Sequence, residues 1–263
     1  MMLKGKIAVI YGAGGDIGSA VARAFAREGA KLFLSGRNLG PVKAVAAEIS
    51  GRGGVADAQE LDALDERAVE TYVGEVAEKA GAIDISFSAI SVAKALPDKA
   101  LLLELSPEHF ALPIAAYTQS NFLTARSAAR RMVKRRSGVI LTLAGIPGRV
   151  GFPNVGGSAP AYAAVEALTR SFSVELAPQG IRVVCLMPHA MPETATIREN
   201  FARYAKAAGL SLAEYQARIE SMTHLKRLTT LDELANTAAF LASDRASAMT
   251  GTVVNLSGGA VPD

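Results

Sequence analysis

The chain has 263 residues, 50% of them hydrophobic and 20% charged, and it carries a net charge of +3. With a mean hydropathy of +0.23, that is enough apolar material for one large core, and it excludes an intrinsically disordered chain. The basic excess is spread along the sequence, which disfavours nucleic-acid binding, and the densest run, Arg130 to Arg136, fits a helix end where cations complement the dipole. The single cysteine, Cys185, excludes a disulfide framework or a Cys-based zinc site, and His109, His189 and His224 have no metal-ligand spacing, so no metal is expected. No apolar run reaches the length of a membrane span. Met1 to Lys6 leads directly into a strand-like run without a signal peptide, so a soluble cytoplasmic protein is expected.

In chain order, Ile7 to Tyr11 is a continuous apolar strand, followed by Ile17, Ala20, Val21, Ala24 and Phe25 at helical spacing. Leu32 to Leu34 predicts a second strand. Ile83, Ile85, Phe87 and Ala89 alternate as a strand does. Val139 to Leu143, Ile181 to Met187 and Thr252 to Leu256 predict three more. Helical stretches fall near 65–80, 107–135, 160–177 and 232–242. This alternation predicts a doubly wound α/β fold: a mostly parallel sheet with helices on both faces and ligands at the carboxyl ends of the strands. A single domain over 1–263 is expected. Residues 190–225 break the alternation and are rich in helix formers, which predicts an insertion over the site.

Gly12-Ala13-Gly14-Gly15-Asp16-Ile17-Gly18 follows a strand and opens a helix. In that context glycines let the backbone approach a pyrophosphate, while the helix N-terminus supplies N–H donors and positive potential. A bare strand-helix turn is the alternative. The second strand ends at Ser35-Gly36-Arg37-Asn38. An acidic residue there would hold the ribose hydroxyls of NAD(H), whereas arginine can pair with a 2′-phosphate. NADP(H) is therefore favoured, with NAD(H) still possible and a merely solvated Arg37 as the plain alternative.

These features resemble the short-chain dehydrogenase/reductase family nearly end to end. The glycine turn stands where that family has Thr-Gly-x-x-x-Gly-x-Gly. Asp62-Ala63-Leu64-Asp65 resembles the segment beside the adenine ring. Asn121, in Ser120-Asn121-Phe122-Leu123, resembles the helix asparagine of the proton relay, and Tyr162 resembles the catalytic tyrosine. Gly180 to Val184 and Thr250 to Gly259 resemble the last two strands. The resemblance implies a seven-stranded Rossmann-type sheet. It also implies a dinucleotide held by Gly12, Gly14, Gly15, Ile17, Gly18, Arg37, Asp62, Ala63, Ser88, Ile90, Glu166 and Pro188, with Tyr162 and Asn121 catalytic. A small-molecule substrate and a homodimer or homotetramer are implied as well. In the family the helices near 107–135 and 160–177 pair subunits, and alanines at 115, 116, 125, 128, 129, 161, 163, 164 and 167 would let them approach closely.

The sequence also departs from the pattern. Glu166 stands where the family's Tyr-x-x-x-Lys has lysine, so an ionised Glu166 would make Tyr162 harder to ionise, though its carboxylate could accept ribose hydroxyl bonds or turn to solvent. Gly145 stands where the substrate-orienting serine should be, with Ser158 nearby as a loop serine. Asp16 replaces the middle glycine of the turn and would repel phosphates unless it points outward or caps a helix. Ser88-Ala89-Ile90-Ser91 replaces Asn-Asn-Ala-Gly. His189 follows Pro188 and could be a replacement acid, a plug in the nicotinamide pocket or a plain loop residue. Thr194 or Thr196 stands near the family's carboxamide-binding threonine. Two functions are consistent with this pattern: an NADP(H)-dependent oxidoreductase with a degenerate site, moving hydride to or from a carbonyl or activated alkene, or a non-catalytic dinucleotide-binding or assembly subunit.

Overall fold

The computed structural model describes residues 1–91 and 101–262. Seven strands form one sheet in the order β3-β2-β1-β4-β5-β6-β7: β1 (Ile7–Tyr11), β2 (Lys31–Gly36), β3 (Val55–Glu60), β4 (Ile85–Ser88), β5 (Gly138–Leu143), β6 (Ile181–Pro188) and β7 (Val253–Leu256). All the pairings are parallel, in register Ile7↔Lys31 and Ala8↔Ile85 on the two sides of β1. The connecting helices are α1 (Asp16–Arg27), α2 (Leu39–Gly51), α3 (Glu66–Ala80), α4 (Pro107–Arg135) and α5 (Ser158–Leu176), then α6 (Ala195–Ala207), α7 (Leu212–Ser221) and α8 (Leu231–Ala242).

The central strands lack alternation because both faces are buried. In β1, Ala8 and Ile10 pack with Val21 and Phe25 of α1 and Leu234 and Ala238 of α8. Val9 and Tyr11 pack on the other face with Val69 and Val73 of α3 and Ala128 and Met132 of α4. A run apolar at every position therefore marks an interior parallel strand. β3 escapes the hydropathy pattern for the opposite reason: it is a half-exposed edge strand, Val-Ala-Asp-Ala-Gln-Glu, whose Asp57 is paired with Lys79 of α3 at 2.7 Å. α2 is also missed, since its first turn carries Gly40 and Pro41, residues tolerated at a helix start but equally common in loops.

Caps set the helix ends where the sequence expects them. Asp65 accepts from Ala68 N at 3.0 Å to start α3, and Gly81 ends it with φ +76°. Ser106 and Pro107 start α4, and Thr230 with Glu233 closes a capping box on α8. The basic run at the end of α4 is engaged with acidic and carbonyl partners: Arg131 and Arg130 meet Glu70, Arg135 meets Asp84 at 3.2 Å, and Arg136 donates to Pro178 O at 2.7 Å.

The alanine stripe proves narrower than expected. Ala116, Ala125, Ala128, Ala129 and Ala161 are buried in the chain's own core, because those faces of α4 and α5 pack on each other and on the sheet. Of these alanines, Ala115, Ala163 and Ala167 are exposed and Ala164 is half-buried. Between β6 and β7, α6 and α7 fall inside the 190–225 segment and pack through Phe201, Tyr204 and Tyr215. Among the described residues, no helix is long and apolar enough to cross a membrane.

Candidate active site

A parallel sheet brings every strand's carboxyl end to one edge, and the chain reverses its winding between β1 and β4, the place where open α/β sheets bind ligands. The glycine turn sits there. Gly12 has φ +71°, a left-handed conformation that glycine adopts without strain, and a Cβ on it would lie 2.6 Å from Ala89 O, just beyond β4. A Cβ on Gly18 would lie 2.3 Å from Gly12 O, so α1 can start this close to β1 only with glycine there. Gly14 is closed in by Pro41 and Val42 of α2, and Ile17 packs against the core. Ala13 N donates to Ser35 O at 3.0 Å, tying the turn to β2. The N-cap of α1 is Gly15, with no side chain bonded to the first turn. N–H groups at a helix start without a side-chain cap are the kind of donors that bind phosphate.

The residues expected around that turn stand at the same edge. A Cβ on Gly36 would come within 3.9 Å of Gly12 Cα, so Arg37 follows directly beside the turn. Arg37 is exposed and makes no hydrogen bond or ion pair with another described residue. Asp62 is exposed, its Oδ1 accepting from Leu64 N at 3.0 Å, with Ala63 buried beside it. Ser88 ends β4 opposite Tyr11 and is buried; its Oγ has no partner among the described residues. Ile90 packs on the core beneath, and Pro188 ends β6 opposite Leu256.

Asp16 does not face a phosphate position unengaged. Its Oδ2 accepts from Ala195 N at 2.8 Å, the first N–H of α6, whose N-cap is Thr194. The carboxylate thus caps a helix, but a different one from its own. Thr194 is buried and spent on capping, its Oγ1 donating to Met191 O at 2.8 Å and accepting from Ile197 N.

Tyr162 lies one turn into α5, half-buried. Its ring stands 5.4 Å from that of Tyr117 on α4, tilted by 46°. The Tyr162 phenol is held well above its ordinary pKa: the neighbouring Tyr117 phenol opposes its ionisation and burial removes water. Asn121, one turn after Tyr117, is buried. Its Nδ2 donates to Tyr117 O at 2.9 Å, while its Oδ1 has no partner among the described residues. A Cβ on Gly145 would meet Tyr162 Cε2 at 3.1 Å, so this glycine lies directly against the tyrosine and offers it no hydroxyl. Ser158 is buried at the first residue of α5, one turn before Tyr162.

Two expectations need correction. Glu166 neither turns to solvent nor governs Tyr162. It is buried, with Arg149 Nε at 3.2 and 3.1 Å from its two oxygens and Arg170 Nη1 at 3.9 Å. The rise in the Tyr162 pKa comes instead from Tyr117 and burial. Nor is His189 suited to be a replacement acid. Burial pulls its pKa down to about 4, and its Nδ1 accepts from Ala190 N at 2.5 Å, so the ring is neutral with its proton on Nε2. Tyr117 and Arg149 were not singled out in the sequence. Tyr117 had one available signal, its position one helical turn before Asn121. Arg149 had none, since only the tertiary fold brings it to Glu166.

Comparison with known proteins is decisive on ancestry. The family model described as Enoyl-(Acyl carrier protein) reductase matches residues 12–261, and the sorbitol dehydrogenase of Cereibacter sphaeroides is 30% identical over 260 residues, covering 98% of each chain. The chain belongs to the short-chain dehydrogenase/reductase family. Two solved structures share its architecture. A short-chain type dehydrogenase/reductase from Mycobacterium marinum is 31% identical with a TM-score of 0.86, over 99% of this chain and 97% of that one. NAD+-bound xylitol dehydrogenase is 25% identical with a TM-score of 0.88, over 98% and 100%. As in other oxidoreductases of the short-chain dehydrogenase/reductase family, a nicotinamide dinucleotide is the family's cofactor. The cradle formed by Gly12 and Gly18, the uncapped start of α1 and the unpartnered Ser88 Oγ fit such a group.

Proposed function

We propose that the protein is an NADP(H)-dependent oxidoreductase acting on a small carbonyl compound or activated alkene, with Tyr162 as the proton donor. The observation that carries this reading is Arg37, an exposed guanidinium directly beside the glycine turn at the end of β2, where this chain has an arginine rather than a carboxylate. The xylitol dehydrogenase relative binds NAD+, so NAD(H) is the natural competitor at this position. When bound, the dinucleotide supplies or accepts the hydride. Gly12, Gly14, Gly15, Ile17 and Gly18 would hold its phosphates, Asp62 and Ala63 its adenine end, and Ser88, Ile90, Glu166 and Pro188 its nicotinamide half.

The acid side favours reduction. A phenol held protonated across the neutral range is ready to donate to an oxygen gaining negative charge, and a weak acid still protonates an alkoxide. Asn121, with its free carbonyl oxygen, would relay protons through water to Tyr162. Without a serine at 145, orientation of the substrate oxygen falls to Tyr162 itself, with Ser158 one turn away, which supports a reaction that needs little oxyanion stabilisation. The 190–225 segment would cover the substrate, anchored to the glycine turn by Asp16. The outer face of α4 and α5, where Leu112, Phe122 and Val174 are exposed with Ala115, Ala163 and Ala167, would pair subunits in a homodimer or homotetramer in the cytoplasm.

The cofactor assignment is tested by Arg37→Asp, using the dinucleotide's own fluorescence. NADPH affinity should fall by about tenfold or more, the scale of one charged contact, while NADH affinity is kept or improved. An NADPH-to-NADH affinity ratio unchanged by the substitution would overturn the assignment.

A further inference from the structure

We infer that Arg149 is a positioning residue of the dinucleotide site, its guanidinium holding the buried Glu166 carboxylate as a fixed acceptor for the ribose hydroxyls beside Tyr162. The inference rests on the dinucleotide reading given above and goes beyond it in assigning a role to Arg149. Three observations carry it. First, α5 repeats every 3.6 residues, so Glu166 stacks one turn beyond Tyr162 on the same side of the helix. Second, the Glu166 side chain is 7% exposed, and Arg149 Nε sits between its two oxygens at 3.1 and 3.2 Å. Third, the segment leading to Arg149 is seated on α5 at the tyrosine itself. A Cβ on Gly148 would lie 2.9 Å from Ala163 N and 3.1 Å from Tyr162 Cβ, so only glycine permits that approach, and Arg149 leaves it aimed along the helix toward Glu166.

The chemistry explains why a second residue is needed. A carboxylate this buried, left alone, takes up a proton. Protonated, it stops being a two-oxygen acceptor and loses its fixed orientation. Among the described residues, the groups against Glu166 are Arg149 from the turn after β5, Arg170 on its own helix and Cys185 on β6. The Cys185 thiol is pushed up to about 12, chiefly by burial, with Glu166's charge adding to the effect, so it stays neutral. Arg170 is more than half exposed and 3.9 Å away, where water screens its charge. Arg149 is therefore the group that holds the carboxylate in place, with its Nε between the two oxygens. Where a lysine would donate to the ribose, this pair accepts from it.

The test is a set of NADPH binding titrations between about pH 6 and pH 9 on the full-length protein, followed by nicotinamide fluorescence and by calorimetry. Arg149→Gln should weaken NADPH by about tenfold or more at neutral pH. It should also add a pH dependence beyond the one that the 2′-phosphate gives the wild type, with affinity recovering at alkaline pH. Arg149→Lys should rescue most of the affinity, and in a Glu166→Gln background Arg149→Gln should cost less than about threefold. A merely structural Arg149 would lower the melting temperature without creating the pH profile. Wild-type affinity in Arg149→Gln at every pH, or equal losses in both backgrounds, would overturn the inference while leaving the dinucleotide reading intact. Wild-type protein that binds neither NADPH nor NADH would overturn both. Should Arg149→Gln not fold, the isosteric Glu166→Gln carries the test. It should weaken NADPH by about tenfold, and unchanged affinity would defeat the inference.

Discussion

Tyr162→Phe will lower kcat for NADPH-dependent reduction by about 10²- to 10⁴-fold, the range expected for loss of a general acid, while NADPH affinity stays within about twofold. The split arises from where the side chain lies. Its ring is fixed by Tyr117 at 5.4 Å and by Gly145, contacts that phenylalanine reproduces, so only the hydroxyl is lost. The phosphate-binding turn is formed by other elements. Stopped-flow and equilibrium titrations with a panel of ketones, aldehydes and enones separate the two quantities. Retained turnover in Tyr162→Phe on a substrate that the wild type reduces would show that the proton comes from elsewhere.

Gly18→Val will remove dinucleotide binding, weakening NADPH by about a hundredfold or more, and will cost about 1–3 kcal/mol of stability, the usual scale of overpacking. The first Cβ alone would lie 2.3 Å from Gly12 O and 2.9 Å from Ala13 Cα. These are backbone atoms of the turn, so nothing flexible can give way, and α1 must move off β1. Gly15→Ala is the control. Its Cβ would meet only Gly12 O, at 3.4 Å, an ordinary contact, so stability should be nearly kept. Denaturant melts with parallel NADPH titrations read both effects, and a Gly18→Val protein that binds like the wild type would refute the cradle.

Much of this was legible in the chain itself. Strands buried on two faces announce themselves as unbroken apolar runs, which is why Ile7–Tyr11 and Ile181–Pro188 could be placed from hydropathy. The edge strand Val55–Glu60 could not, because half its surface faces water and its polar residues carry no period. The glycine turn was readable because close approach demands a residue without a Cβ, a demand written in the sequence itself. The acid side was less so. Glu166 looked like an uncompensated charge because its partner Arg149 is 17 residues earlier, across a turn whose path only the folded chain defines. His189 looked like a titrating residue, but burial and the Ala190 N–H, both products of the fold, hold it neutral. Asp16 looked like an obstacle to phosphate until the start of α6 supplied its partner.

The central claim is that the carboxyl edge of the sheet binds a phosphorylated nicotinamide dinucleotide through the start of α1 and Arg37. Isothermal titration of the wild-type protein with NADPH and with NADH tests it most directly. The account predicts one saturable site, with NADPH bound about tenfold or more tighter than NADH. Tighter binding of NADH, or no heat with either dinucleotide, would contradict it.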